Sequence, residues 1–566
     1  MAAHVWHFVF LCDDAYIFFR YARNLVRGRG LVFNPSEYVE GYTSLLWTLQ
    51  LAFGEAWGIS GEVFAHLLSV GYTLASLALL SRLILLQPLP GRRAVLLIVL
   101  VALASNRNWA VWATGGLETR CFTFFVLLTF YHASRSELSS DPRLRARALV
   151  FTSIAAALAA LARPDALAFF PPLAAFFLFR RSAKATDWAA LLVPFVLLVG
   201  GHFLWRYWYY GDWLPNTYYA KVGPAWPEMG GRYLAAFLLE YAYYLLLPLL
   251  LGVWWFIGSA ETRRLGVLVL VWVAIHAAYY CYKVGGDYFE FRIFDFYVPL
   301  LAWMFAECLL VLARANRAAS IACGGAVLVY SLMIPLADLT RSSTFTTIES
   351  WIGPAGWNEF GQTLKSGSMK LDPEANPAAG VLPFARDILE AHGQLHAELR
   401  SHLIGCRHAY LKTVWLEFRS RYILGRGITD IGVLPPMTIA ASGIGALGYF
   451  IDLPLIDTLG LTDPVAAREG TSLHPLHNWR VMAHDRLAPA PYLEKRHAHA
   501  QIDSVTLQPL GGAAPNGWVL VPEGRQLEFF SVSLPNGTWL NLHSWDLAWM
   551  RKNFRWRRGD HRLYLR

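Results

Sequence analysis

The sequence predicts a polytopic α-helical membrane protein that carries a C-terminal soluble α/β or α+β domain. Three observations point there: the residue balance, a train of apolar runs of helical length, and a fall in hydropathy near residue 340. Of 566 residues, 55% are hydrophobic and only 16% charged. A soluble protein keeps about a quarter of its residues charged. With a mean hydropathy of +0.36, lipid is the solvent for much of the chain.

A bilayer core of about 30 Å needs about 20 apolar residues in a helix. Candidate spans run over 62–86, 94–112, 117–134, 148–162, 165–179, 188–208, 233–258, 264–282, 294–313 and 318–338. The short pair within 148–179 also reads as one broken helix. Met1 to Cys12 is apolar but too short to span, and it lacks the basic n-region of a signal peptide. It reads as the remainder of a truncated first span, giving 10 or 11 spans in all.

Every second short loop is basic. Arg92-Arg93, Arg143/Arg145/Arg147, Arg180-Arg181 with Lys184, Arg263-Arg264 and Arg314/Arg317 alternate with loops of other content. Basic short loops belong on the cytoplasmic side. The opposite loops hold Asp13-Asp14, Glu118, Arg163-Pro164-Asp165, the run Gly211 to Asn216, and Gly285-Gly286-Asp287. Carboxylates therefore converge on the outer face, and ionisable residues at the membrane usually mark a working site.

The formal net charge of +9 does not indicate nucleic acid, because the cations sit mostly at the ends of apolar runs. Anionic lipid or a phosphate-bearing substrate is the expected partner. The six cysteines form no framework, and no CxxC, HExxH or GxxxxGK[ST] occurs. Metalloprotease and nucleotide-hydrolase readings therefore have no support. No cofactor is indicated, and a divalent-metal requirement stays open.

The chain divides into a membrane domain, 1–340, and a soluble domain, 341–566, of about 225 residues, a plausible size for one domain. The span count puts the soluble domain outside, where a role in acceptor binding is open to it. Phe384 to Leu403 reads as an amphipathic helix. Asn516-Gly517 and Asn536-Gly537 stand between β-type runs, the hairpin signal.

Asp13 to Gly28 reads as a helix, with aspartate as cap and Gly28 as terminator. Arg20, Arg23 and Arg27 share one face. This is either an interfacial helix whose arginines meet lipid headgroups, or a catalytic aspartate beside a phosphate grip. Glu40 and Tyr42 could bind sugar hydroxyls or simply line a loop. Glu118 and Asp165 read as helix caps, as ion-pair partners or as catalytic groups, and Arg163 with Asp165 also reads as a local pair. Asn216 and Lys221 sit among aromatics that suit either a sugar or an interfacial belt. Gly285-Gly286 permits close backbone approach beside Asp287, and Arg292 could grip a phosphate bidentately. His202 and His276 read as hydrogen-bonded core residues, since no second ligand stands at metal spacing.

These motifs carry a resemblance. Asp13-Asp14-Ala-Tyr-Ile-Phe-Phe-Arg-Tyr-Ala-Arg-Asn, Gly28 to Pro35, Val39 to Ser44 and Leu46-Trp47 resemble the first outer loop of bacterial GT-C glycosyltransferases. Within that superfamily the chain is most similar to the mycobacterial terminal β-(1→2)-arabinofuranosyltransferases. Gly116 to Thr119, Arg163 to Asp165, Gly211 to Asn216, Gly285 to Asp287 and Ile456 to Pro464 resemble motifs of the same group. The truncated first span is a departure. The resemblance implies a bacterial plasma-membrane enzyme with a polyprenyl-phosphate sugar donor, an inverting transfer and a glycan or protein acceptor. It implies a base in the first outer loop, a role that falls on Asp13 or Asp14. A polyprenyl phosphate already leaves well, so one carboxylate suffices where a hydrolase needs two. The rival reading is a transporter or flippase for a lipid-linked or anionic substrate, with intramembrane charges near the midplane.

Overall fold

In a computed structural model the chain is described over residues 1–86, 91–178, 184–257, 259–339, 380–426, 437–451, 453–472, 480–482, 486–511, 524–556 and 561–565. Among these, six helices are long and apolar enough to cross a membrane: Gly61–Leu85, Pro142–Ala162, Ala185–Tyr210, Ala260–Val284, Tyr297–Ala315 and Arg317–Pro335. Many of their apolar side chains face outward, including Leu67, Leu74, Leu197 and Leu204. That pattern costs free energy in water and none in lipid. The protein is a multi-pass membrane protein.

The other expected spans are broken, each for a local reason. The run 94–112 divides at Asn106, whose side chain accepts from the Trp109 amide at 2.9 Å and starts a new helix. The run 165–179 begins with a 3-10 turn, Pro164–Phe169, before the short helix Phe170–Leu178. The run 233–258 bends by 80° between Pro227–Glu240 and Tyr243–Val253, where Ala242 takes a φ of +52°. Thr119–Leu138 has 20 residues but carries Arg120, which is buried against Asp295 at 3.0 Å. Among the described residues the expected apolar runs are thus helical, six of them as single long apolar helices and the others shorter, bent or bearing a buried charge.

The boundary expected at 340 lies outside the described residues, as does Asn516-Gly517. Beyond it the amphipathic helix runs over Ala385–Ser401. Seven strands form a mixed sheet among the described residues. Their order is Leu455–Asp457, Thr438–Ala441, Ala498–Thr506, Trp539–Ser544, Glu528–Ser533, Arg562–Leu565, Phe554–Trp556. The hairpin expected at Asn536-Gly537 joins Glu528–Ser533 to Trp539–Ser544 in antiparallel register. Gly537 has the positive φ of +81° that such a turn requires.

The sheet-bearing part is fastened to the first-loop helix, Asp13–Val26. Arg20 is fully buried and donates to the carbonyls of Phe33 (2.7 Å), Gly448 (2.6 Å) and Leu453 (2.8 Å). Arg23 donates to the Tyr449 carbonyl at 2.6 Å and stacks on that ring. These arginines join the two parts of the chain and do not reach a phosphate, which corrects their expected role. Their shared helical face is real, but it meets the carbonyl end of Gly445–Ile451 and not solvent. Replacing Arg20 by Gln should cost about 3 kcal/mol or more, since buried carbonyls lose charged donors. The check is the thermal midpoint of purified protein, with donor affinity of the folded fraction unchanged.

Candidate functional site

A cavity of about 610 Å³ lies where the loops converge. Its wall includes Asp14, Tyr42, Glu118, Arg163, Asp165, Lys221, Asp287 and Arg292. Eight expected site residues thus come together from five separate segments. The remaining wall is mostly apolar or aromatic, with Ile17, Phe18, Leu167, Leu214, Tyr218, Ile275, Tyr279 and Tyr280, and includes Thr43, Thr217 and His276. Leu459, Leu461 and Met482 come from the C-terminal part.

The two aspartates separate. The helix starts after Cys12, which has extended backbone, so both acids lie in its first turn, where the helix dipole favours them. Asp13 was expected to cap this helix; instead its carboxylate accepts from Gly445 N (3.2 Å) and Ala446 N (2.9 Å) of another. A Cβ on Gly445 would strike the Asp13 carbonyl oxygen and carboxylate, so the close approach requires glycine there. Burial pushes the Asp13 carboxyl up to about 6, against the pull of those amides. Asp14 faces the cavity, with Lys221 Nζ 3.5 Å from its Oδ2.

Deeper in the wall, Arg163 donates to Glu118 (2.9 Å), Asp165 (3.1 Å) and the Tyr280 hydroxyl (2.6 Å). His276 Nε2 lies 3.1 Å from Asp165, and its Nδ1 lies 2.9 Å from the Tyr297 hydroxyl. Each nitrogen of Arg163 and both ring nitrogens of His276 have partners inside the protein, so the group forms a rigid polar floor. Arg292 differs. Its Nε donates to Asp287 at 3.1 Å and its plane stacks on Phe289. Among the described residues its two terminal nitrogens have no hydrogen-bonded acceptor, so they are available to an anion.

Glu40 and Asn216 do not reach the cavity. Glu40 is buried on Arg206 at 2.6 Å. The Asn216 amide donates to the Gly460 carbonyl at 2.8 Å. Both hold loops together, so their expected ligand contacts are not made. Tyr280 and Tyr279 were missed by sequence reasoning. The signal was the spacing His276-x-x-x-Tyr280, which puts both on one face; the backbone then widens into a π-helix over Ala278–Val284. Such insertions are frequent at functional sites.

A second polar cluster lies apart from the cavity. Glu240, His392 and His396 are buried, with ligand atoms within 4.8 Å of one another. Arg407 donates to Glu240 at 2.9 Å and to Glu290 at 2.8 Å, and its Nη2 lies 3.5 Å from His396 Nε2. Arg107 pairs with Glu290 as well. Two arginines already balance two glutamates. Burial, with Arg407 nearby, holds His396 well below the ordinary histidine range. A dication would add uncompensated charge to a dry site, so these residues fit an ion-pair junction and not a metal centre.

Comparisons with known proteins bear on the fold as a whole. A family model described as a domain of unknown function, DUF8728, matches residues 422–546. The terminal β-(1→2)-arabinofuranosyltransferase of Mycobacterium tuberculosis is 24% identical over 535 residues, spanning 82% of this chain and 79% of that protein. Two crystal structures of ArnT from Cupriavidus metallidurans share the architecture. The apo form gives a TM-score of 0.53 at 13% identity, covering 94% of this chain and 93% of ArnT. The form bound to undecaprenyl phosphate gives 0.52 at 12% identity, covering 95% and 94%. The chain thus has the fold of the GT-C glycosyltransferases and resembles, over most of its length, the mycobacterial arabinofuranosyltransferase.

Proposed function

We propose that this GT-C-fold membrane protein is an inverting glycosyltransferase. In this reading it moves a sugar, arabinofuranose by its likeness to the mycobacterial enzyme, from a polyprenyl-phosphate donor to a glycan or protein acceptor. The observation that carries the reading is the cavity, in whose wall Asp14, with Lys221 Nζ 3.5 Å from it, stands together with Arg292, while Glu118 and Asp165 are tied up by Arg163 and Asp287 by Arg292 itself. Asp14 takes the proton of the acceptor hydroxyl as its oxygen attacks the anomeric carbon. Arg292 and Lys221 take up charge on the departing lipid phosphate, so no general acid is needed. Arg163 holds Glu118 and Asp165 in place as a polar floor. That ArnT has been seen with undecaprenyl phosphate bound supports a lipid-phosphate donor.

The test is transfer of labelled sugar from a synthetic polyprenyl-phosphate donor by purified protein. Product formation with release of free lipid phosphate is expected. Movement of lipid-linked sugar across proteoliposome membranes without bond cleavage would instead establish the transporter.

The reading places the cavity and the C-terminal part outside the plasma membrane. A cysteine at exposed Trp213 should then be labelled by an impermeant maleimide on intact cells, and one at exposed Arg143 should not. The reverse pattern would invert the topology.

A further inference from the structure

The cavity wall that carries Asp287 and Arg292 is an irregular segment between Gly286 and Phe291, which have φ values of +113° and +41°. It has no regular helix or sheet to hold its shape. Its backbone partners come from a segment more than a hundred residues later. Gly405 N donates to the Asp287 carbonyl (2.9 Å) and Cys406 N to the Tyr288 carbonyl (2.8 Å), while Glu290 N donates to the Cys406 carbonyl (3.2 Å). Phe289 and Cys406 are a parallel bridge pair.

The side chain of Glu290 points away from the cavity and is fully buried. It receives Arg407 at 2.8 Å and the His408 amide at 3.0 Å, and Arg107 pairs with it. Arg407 uses the same nitrogen on Glu240, in the helix Pro227–Glu240. We infer that Arg407 is a positioning residue for the cavity: through Glu290 it fixes the 287–292 segment, and so the direction in which Arg292 presents its guanidinium. The inference rests on the reading of Arg292 as an anion grip.

The variants Arg407→Gln and Arg407→Lys separate this role from mere folding. One nitrogen bridges both glutamates, so a point charge can substitute, and lysine should hold the segment where glutamine does not. Two readouts are taken on the purified full chain. The first is hydrogen exchange of amides in 286–294 and 404–408. R407Q should speed it about tenfold, a loss of about 1.4 kcal/mol locally, and R407K should stay near wild type. The second is affinity for undecaprenyl phosphate, which R407Q should weaken by about tenfold and R407K by far less. Unchanged exchange in R407Q overturns the clamp. Faster exchange with unchanged affinity overturns the link to Arg292, as does a lysine variant no better than glutamine. Wild-type protein that binds the lipid phosphate but transfers no sugar would refute the proposed function and leave this inference standing. Wild-type protein that does not bind it would overturn both.

Discussion

Asp14→Asn should lower sugar transfer by about 100-fold or more and leave the thermal midpoint close to wild type. Asparagine keeps the size of the side chain, and among the described residues Asp14 accepts from no backbone amide; its partner is Lys221 at 3.5 Å. The loss should fall on kcat, because donor binding rests on other groups. Asp13→Asn should behave in the opposite way. Its carboxylate receives two amides of the Gly445–Ile451 helix, and asparagine is itself a fair cap. Most transfer should survive, with a stability change of about 1 kcal/mol or less. Asp13→Ala should lower the thermal midpoint further. Steady-state kinetics and thermal unfolding on the three proteins check this. An Asp14→Asn protein with near-normal kcat would remove the base from this helix, and Glu118 or Asp287 would be tested next.

Arg292→Gln should raise the KM for the lipid donor by about 10- to 100-fold, since a hydrogen bond to a charged group contributes about 1.5–3 kcal/mol. Glutamine still reaches Asp287, so the wall should keep its shape. If the guanidinium also stabilises charge on the leaving phosphate, kcat falls as well, and the two effects are separated by saturating donor. Unchanged donor kinetics would assign the phosphate to Lys221 alone. Arg20→Gln is the internal contrast: its cost belongs to folding, because its donors end on carbonyls.

Much of this arrangement was legible in the residues. Carboxylates in alternate loops do meet: Asp14, Glu118, Asp165 and Asp287 share one cavity although they lie far apart in the chain. Loop alternation encodes that convergence, since every second loop must return to the same face. What was not legible was direction. Arg20 and Arg23 stand on one helical face, and periodicity specifies the face but not what covers it. The covering group, 448–453, lies more than four hundred residues later. The same limit applies to the aspartates, where only the approach of Gly445 tells Asp13 from Asp14. The breaks within the apolar runs were not legible for a different reason. Hydropathy averages over breaks, and Asn106, Pro164 and Ala242 each interrupt an apolar run with a local backbone effect.

The junction of the first-loop helix with residues 445–453 also dictates when the protein can mature during synthesis. Arg20 and Arg23 find their acceptors 426 to 433 positions further along the chain. A ribosome adding about 5–20 residues per second needs tens of seconds to supply them. Through that interval Arg23 lacks the Tyr449 carbonyl, and of its three carbonyl partners Arg20 has only that of Phe33. A nascent chain, or one cut short before residue 445, keeps its membrane helices but has no assembled site. The cavity wall is complete only once the C-terminal part, which contributes Leu459, Leu461 and Met482, has closed over the beginning of the chain.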